Sequence, residues 1–155
     1  RLFSETVIPV ASPELLEANP ISAPDDLAQH ILLHDGSPDA DDSCPDWAMW
    51  LAARGIKGVD GARGPRFNQS SLVIEAAANG RGIALAKRTL AQADLDAGRL
   101  VIPFDIATSV DFAYYVVHPK AKGRLPQVKA FVGWLKDEAA AHEAALLTID
   151  NGAGI

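Results

Sequence analysis

Short apolar runs alternate with amphipathic ones along this chain. "TVIPV", residues 6–10, reads as an extended strand, and Pro9 withholds a ladder donor, so this strand lies at an edge or ends there. "SPELLEA" follows with Ser12 as N-cap and Pro13 at the first helical position. "APDDLAQH" starts another short helix, with Asp25 and Asp26 suited to its positive end. "ILLH", residues 31–34, reads as a buried strand, and "DGSPDADDSCPD", residues 35–46, as a polar loop. "WAMWLAARG", from Trp47, is an amphipathic helix stopped by Gly55. "RFN" is a strand edge. In the next segment Leu72, Val73, Ala76 and Ala77 share one helical face, and Ile74 and Ala78 widen it. Gly80 and Gly82 can end that helix.

"IALA", residues 83–86, is then a strand, and "LAQADLDAGRL" a turn or two of helix ended by Gly98. "LVIPF" and "FAYYVVHP" read as strands. "LPQVKAFVGWLKDEAAAH" is the clearest helix: Val128, Phe131, Val132 and Leu135 stand at i, i+3, i+4 and i+7, with Pro126 at its first position. The tail "LLTIDNGAGI" carries no usable pattern, and is expected to be a short extra element or a disordered end. Strands alternating with helices predict an α/β layered domain with mostly parallel pairing.

Composition narrows the function. The chain has 155 residues, 48% hydrophobic and 22% charged, which suits one globular domain with a real core. No apolar run approaches the roughly 20 residues of a membrane helix, and no secretory leader opens the chain. Arg1 in place of Met fits a chain that continues upstream. The net charge of −6 argues against duplex DNA as a direct partner, because phosphate neutralisation supplies most of such affinity. The single cysteine, Cys44, excludes an internal disulfide framework and fits a reducing compartment.

The candidate chemistry centres on Asn68, Gln69, Ser70 and Ser71, a polar turn between strand "RF" and an apolar helix. In open α/β sheets, ligands sit beyond the carboxyl ends of strands, beside the next helix start. A helix N-terminus suits an anion. The plainer alternative is a helix cap, which needs one such residue and not four. Other candidates are weaker. His30 and His34, with Asp35, would need a helix to face one metal, and "ILLH" reads as strand. Cys44 lies among carboxylates that oppose a thiolate. Gly80-Arg81-Gly82 follows a helix and not a strand, so it fails the dinucleotide fingerprint. Glu75 is a lone carboxylate expected at a solvent edge, and Arg63 with Arg66 a solvated basic pair. No acid/base pair or metal set stands out, so neither catalytic residues nor a cofactor or metal are assigned.

Five segments in order resemble the effector-binding domain of LysR-type transcriptional regulators, in the subgroup of glycine-cleavage and β-lactamase regulators. They are "LFSETVIPVASPELL", "APDDLAQHILLHD", "WAMWLAARG", "GARGPRFNQSSLVIEAAANGRGIALAKRTLAQADLDAGRLVIPF" and "YYVVHPKAKGRLPQVKAFVGWLKDEA". The resemblance implies a type 2 periplasmic-binding-protein-like fold, with two α/β subdomains joined by two crossover strands. Residues 1–140 would be a partial effector-binding domain. Residues 14–105 would form the second subdomain and 110–140 the return strand and helix of the first, with 141–155 as a tail. The family's helix-turn-helix and most of its first subdomain have no counterpart in these residues. By position the resemblance carries a small-molecule effector site to Asn68, Gln69, Ser70 and Ser71. It adds a cleft-bordering hydroxyl from Tyr114 or Tyr115, of which alternation lets one face the cleft. The helix start leaves room for an anionic effector, and the resemblance further implies a homo-oligomer in the cytoplasm, no membrane, and DNA contact through a domain outside this chain. The alternative is a transporter's solute-binding protein, which shares the fold.

Overall fold

In a computed structural model, residues 1–37, 44–104 and 106–152 are described. The strands are β1 (Ser4–Val10), β2 (Leu32–Asp35), β3 (Arg66–Phe67), β4 (Ile83–Lys87) and β5 (Thr108–Ala113). The helices are α1 (Pro13–Ala18), α2 (Trp47–Ala53), α3 (Ser70–Ala78), α4 (Arg88–Asp96) and α5 (Pro126–Gly152), with short 3-10 turns at Pro24–Gln29 and Lys120–Lys122.

The strands form one sheet in the order β3-β2-β4-β1-β5. β2 pairs in parallel with both β3 and β4, while β1 runs antiparallel to β4. Pro9 lies within β1 against Leu85, and its neighbour Val10 faces Ala84. The chain divides into two compact units. One comprises Glu5–Asp111, the other Arg1–Ser4 with Phe112–Ile155. The backbone therefore crosses between them twice, within β1 and within β5.

In the larger unit both faces of the sheet are covered, which is why its inner strands read as unbroken apolar runs. Alternate residues go to opposite faces. Ile8, Val10, Leu33, Ala84 and Ala86 pack with Val73, Ile74 and Ala77 of α3 and Ala91 of α4. Val7, Leu32, Ile83 and Leu85 pack with Leu27 and with Trp47, Trp50 and Leu51 of α2. Full burial of one such aliphatic side chain contributes about 1.5–3 kcal/mol. The Trp47 indole N–H donates to the Leu33 carbonyl at 3.0 Å, so this buried polar group is satisfied against β2 itself. Trp47 and Trp50 meet edge-on at 5.6 Å, and the Arg54 guanidinium lies 3.9 Å over the Trp50 ring.

The helix signals carry over at the caps. Ser12 accepts from the Leu15 N–H with Pro13 at the first position, and Asp46 accepts from the Met49 N–H to open α2. The expected helix in "APDDLAQH" is a 3-10 turn, at whose start the Asp26 carboxylate bonds back to the Ser22 and Ala23 N–H groups. Those bonds hold the Asp26 carboxyl below its ordinary pKa. Gly80, at φ +70°, follows α3 in the left-handed conformation.

Three expectations are corrected. "LVIPF" is no strand: Val101 makes a single bridge to Ala11, and the ladder begins at Thr108. "FAYYVVHP" is strand only through Ala113. The stretch from Leu146, expected as a short extra element or a disordered end, continues α5, which runs from Pro126 to Gly152. In the smaller unit, Tyr114 exchanges backbone hydrogen bonds with Leu2 and Phe3 at 2.7 and 2.9 Å. The Phe3 ring lies 4.7 Å from Tyr114 and 5.4 Å from His142 of α5.

Candidate functional site

Parallel pairing of β2 and β3 sets His34 beside Arg66 and Asp35 beside Phe67. The Gly36 N–H donates to the Phe67 carbonyl at 2.8 Å, which prolongs that ladder by one bond. Two residues past β3, α3 begins at Ser70. This geometry brings the carboxyl end of β2 against the start of α3. There the Asp35 carboxylate accepts from the Ser70 hydroxyl at 2.5 Å, the Ser37 hydroxyl at 2.5 Å and the Ser37 N–H at 2.9 Å. The two hydroxyl oxygens are 3.0 Å apart.

The four residues of the polar turn thus part company. Ser70 is half-buried and bound to Asp35, whereas Asn68, Gln69 and Ser71 are exposed. Gln69 occupies the cap position, but its side chain makes no capping bond; its backbone carbonyl takes the Leu72 and Val73 N–H groups instead. The expected side-chain cap is therefore not made. Asp35 was weighed in the sequence only as a metal ligand beside His30 and His34, and Ser37 was not singled out. The available signal was position, for Asp35 ends β2 and Ser37 follows two residues later, at the strand's carboxyl end.

Tyr114 and Tyr115 belong to the smaller unit. Tyr114 is half-buried with its ring on Phe3, while Tyr115 is 62% exposed. The remaining candidates resolve into structural partners. His34 is buried with Nε2 3.0 Å from the Arg63 carbonyl. Among the described residues, no group of three His, Cys, Asp or Glu gathers as a metal set. Cys44 is half-buried against the Trp47 cluster. Glu75 is exposed on α3 and bonds Arg99 and Asn79. Arg99 also pairs with Asp94, and this carboxylate first, then Glu75, raises its pKa. Arg63 and Arg66 are both exposed. No helix among the described residues is long and apolar enough to cross a membrane.

Comparison with known proteins places this arrangement in a class. The model of the LysR substrate binding domain matches residues 1–140. The chain belongs to that family. It is 37% identical over 144 residues to the glycine cleavage system transcriptional activator of Escherichia coli strain K12, covering 92% of this chain and 45% of that protein. It is 31% identical to the transcriptional activator AmpR of Citrobacter koseri, over 86% of this chain and 43% of the relative. Among solved structures, the effector domain of AmpR from Pseudomonas aeruginosa superposes with a TM-score of 0.71 at 28% identity, covering 94% of this chain and 67% of that one. The chain thus spans less than half the length of the curated relatives it matches. The fold is the periplasmic-binding-protein-like type 2 fold of LysR effector-binding domains. These relatives are transcriptional regulators and not enzymes, and they give the solute-binding alternative no support.

Proposed function

We propose that this chain is the effector-sensing part of a LysR-type transcriptional regulator. In this reading Glu5–Asp111 corresponds to the second subdomain. Phe112–Ile155, with Arg1–Ser4, corresponds to part of the first. A small molecule binds beside the polar turn Asn68–Ser71 of the larger unit. The observation that carries the reading is the Ser70–Asp35–Ser37 cluster at the carboxyl end of β2, in a chain whose residues 1–140 match the family model. That end of a parallel sheet is where α/β folds of this kind hold ligands. No bond-making step is required. The effector acts by binding one arrangement of the protein better than another, and that difference is read at DNA through a domain outside these residues. The protein works as a homo-oligomer in the cytoplasm.

The test is genetic. A metabolite panel applied to a promoter-reporter strain first identifies the inducer of the unsubstituted full-length regulator. The Ser70→Ala, Ser71→Ala variant should keep operator binding and lose the response to that inducer. An unchanged response refutes the assignment of this turn to the effector site.

A further inference from the structure

The opposite end of β2 carries a cavity. It has a volume of about 170 Å³ and lies in the larger unit, at the entrance to the strand and not at its carboxyl end. Leu27, Ile31 and Val59 supply apolar walls, and His30, Asp60 and Arg63 supply polar ones. Ile31 is 56% exposed although it directly precedes a strand of buried residues, so this cavity is where its side chain meets solvent. The volume is below the roughly 300 Å³ at which drug-sized sites begin, which restricts an occupant to a few heavy atoms.

The rim is built, not loose. The Arg63 N–H donates to the Asp60 carbonyl at 3.2 Å, and the Ala62 N–H donates to the Asp60 carboxylate at 3.0 Å. His34 Nε2 bonds the Arg63 carbonyl, and the His34 N–H donates to the Pro65 carbonyl at 3.0 Å. Gly64 passes so close to β2 that a Cβ there would stand 1.9 Å from the Leu32 carbonyl oxygen. The loop from Asp60 to Pro65 is therefore tied to the strand by backbone bonds, and its two charges are presented on a fixed frame. Preorganisation of this kind lowers the entropic cost of binding.

Three polar groups on this wall have bonding capacity left over. Among the described residues, the Arg63 guanidinium has no hydrogen bond or ion pair, and the Asp60 carboxylate has no cation. His30 Nε2 is shielded from solvent and has no hydrogen-bond partner there. One cation and one anion thus line the same small cavity without neutralising each other, above an aliphatic floor. We propose that this cavity is a second ligand site, distinct from the effector site, and that it takes a small zwitterion on a short aliphatic frame, as in an aliphatic amino acid. The ligand carboxylate pairs with Arg63, its ammonium with Asp60, and its side chain packs on Leu27, Ile31 and Val59. His30 Nε2 supplies a further hydrogen bond to the ligand's polar end.

The probes are L-valine, isovalerate, which lacks the ammonium, and isobutylamine, which lacks the carboxylate. The readout is the Ile31 methyl resonance in the methyl-labelled full-length protein, assigned with Ile31→Val. L-Valine should shift it saturably, with affinity about tenfold above either one-charge analogue. Arg63→Gln should remove the preference over isobutylamine, and Asp60→Asn the preference over isovalerate; both positions are exposed. Ser70→Ala should leave the titration unchanged. Absence of a saturable shift with all three probes, equal affinity for them, or loss of valine binding in Ser70→Ala overturns the proposal. The last outcome would return the ligand to the effector site, while a failure of the effector reading alone leaves this titration intact.

Discussion

Gly64 illustrates how much one residue can carry. Its φ of +129° is open to glycine and strained for any L side chain, and the space for a Cβ is filled by the Leu32 carbonyl. Gly64→Ala should destabilise the fold by roughly 2–4 kcal/mol, combining backbone strain with a steric clash against main chain. Urea denaturation with an unchanged m-value checks this. His30 is the residue with a predictable pH signature. Desolvation lowers its pKa from 6.5, and the nearby Asp26 carboxylate only partly opposes this. The unfolded chain therefore binds the proton more readily than the folded one. Stability from this residue is present above the unfolded value and falls as pH drops below about 6.5 toward the folded value. In His30→Gln the slope of melting temperature between pH 7 and 5 should become shallower. An unaltered slope assigns the dependence to other groups.

At the scale of elements, the caps were the most legible feature, because they are local. Ser12 with Pro13, Pro126 and the break around Gly80 all stand where the sequence places them. Ser12→Ala should cost about 1 kcal/mol by removing the acceptor of the Leu15 N–H, measured by thermal melting. What was not legible depends on partners distant in sequence. "LVIPF" has strand composition, yet only Val101 finds a bridge partner, in Ala11. α5 continues past the last clear i, i+3, i+4, i+7 face, first through the Ala-rich residues 139–145, where a helix already nucleated extends at low cost. The candidate site was half legible. The polar turn was visible as four hydrogen-bonding residues before an apolar helix, but its carboxylate partner sits 35 positions earlier and is delivered by β2–β3 pairing. Nothing local marks Asp35 as the group that orients Ser70.

The whole molecule is acidic, with a net charge of −6. By itself this chain should therefore show no measurable affinity for duplex DNA in a gel-shift assay at physiological salt, since binding without phosphate neutralisation lacks its main driving term. Retained affinity would relocate a DNA contact into the effector-sensing part. The division into two units, between which the backbone passes within β1 and within β5, also bears on how the molecule can be watched. Its three tryptophans are unequally distributed. Trp47 and Trp50 are buried in the larger unit, one with its indole tied to β2 and the other beneath a guanidinium. Trp134, 54% exposed on α5, belongs to the smaller. Their emission separates by colour: the solvated indole emits to the red, the buried pair to the blue. External quenchers reach the first and spare the others. The fluorescence spectrum is thus an unlabelled optical record in which each unit signs its own band, and a ligand that disturbs β2 is seen through Trp47 without any dye.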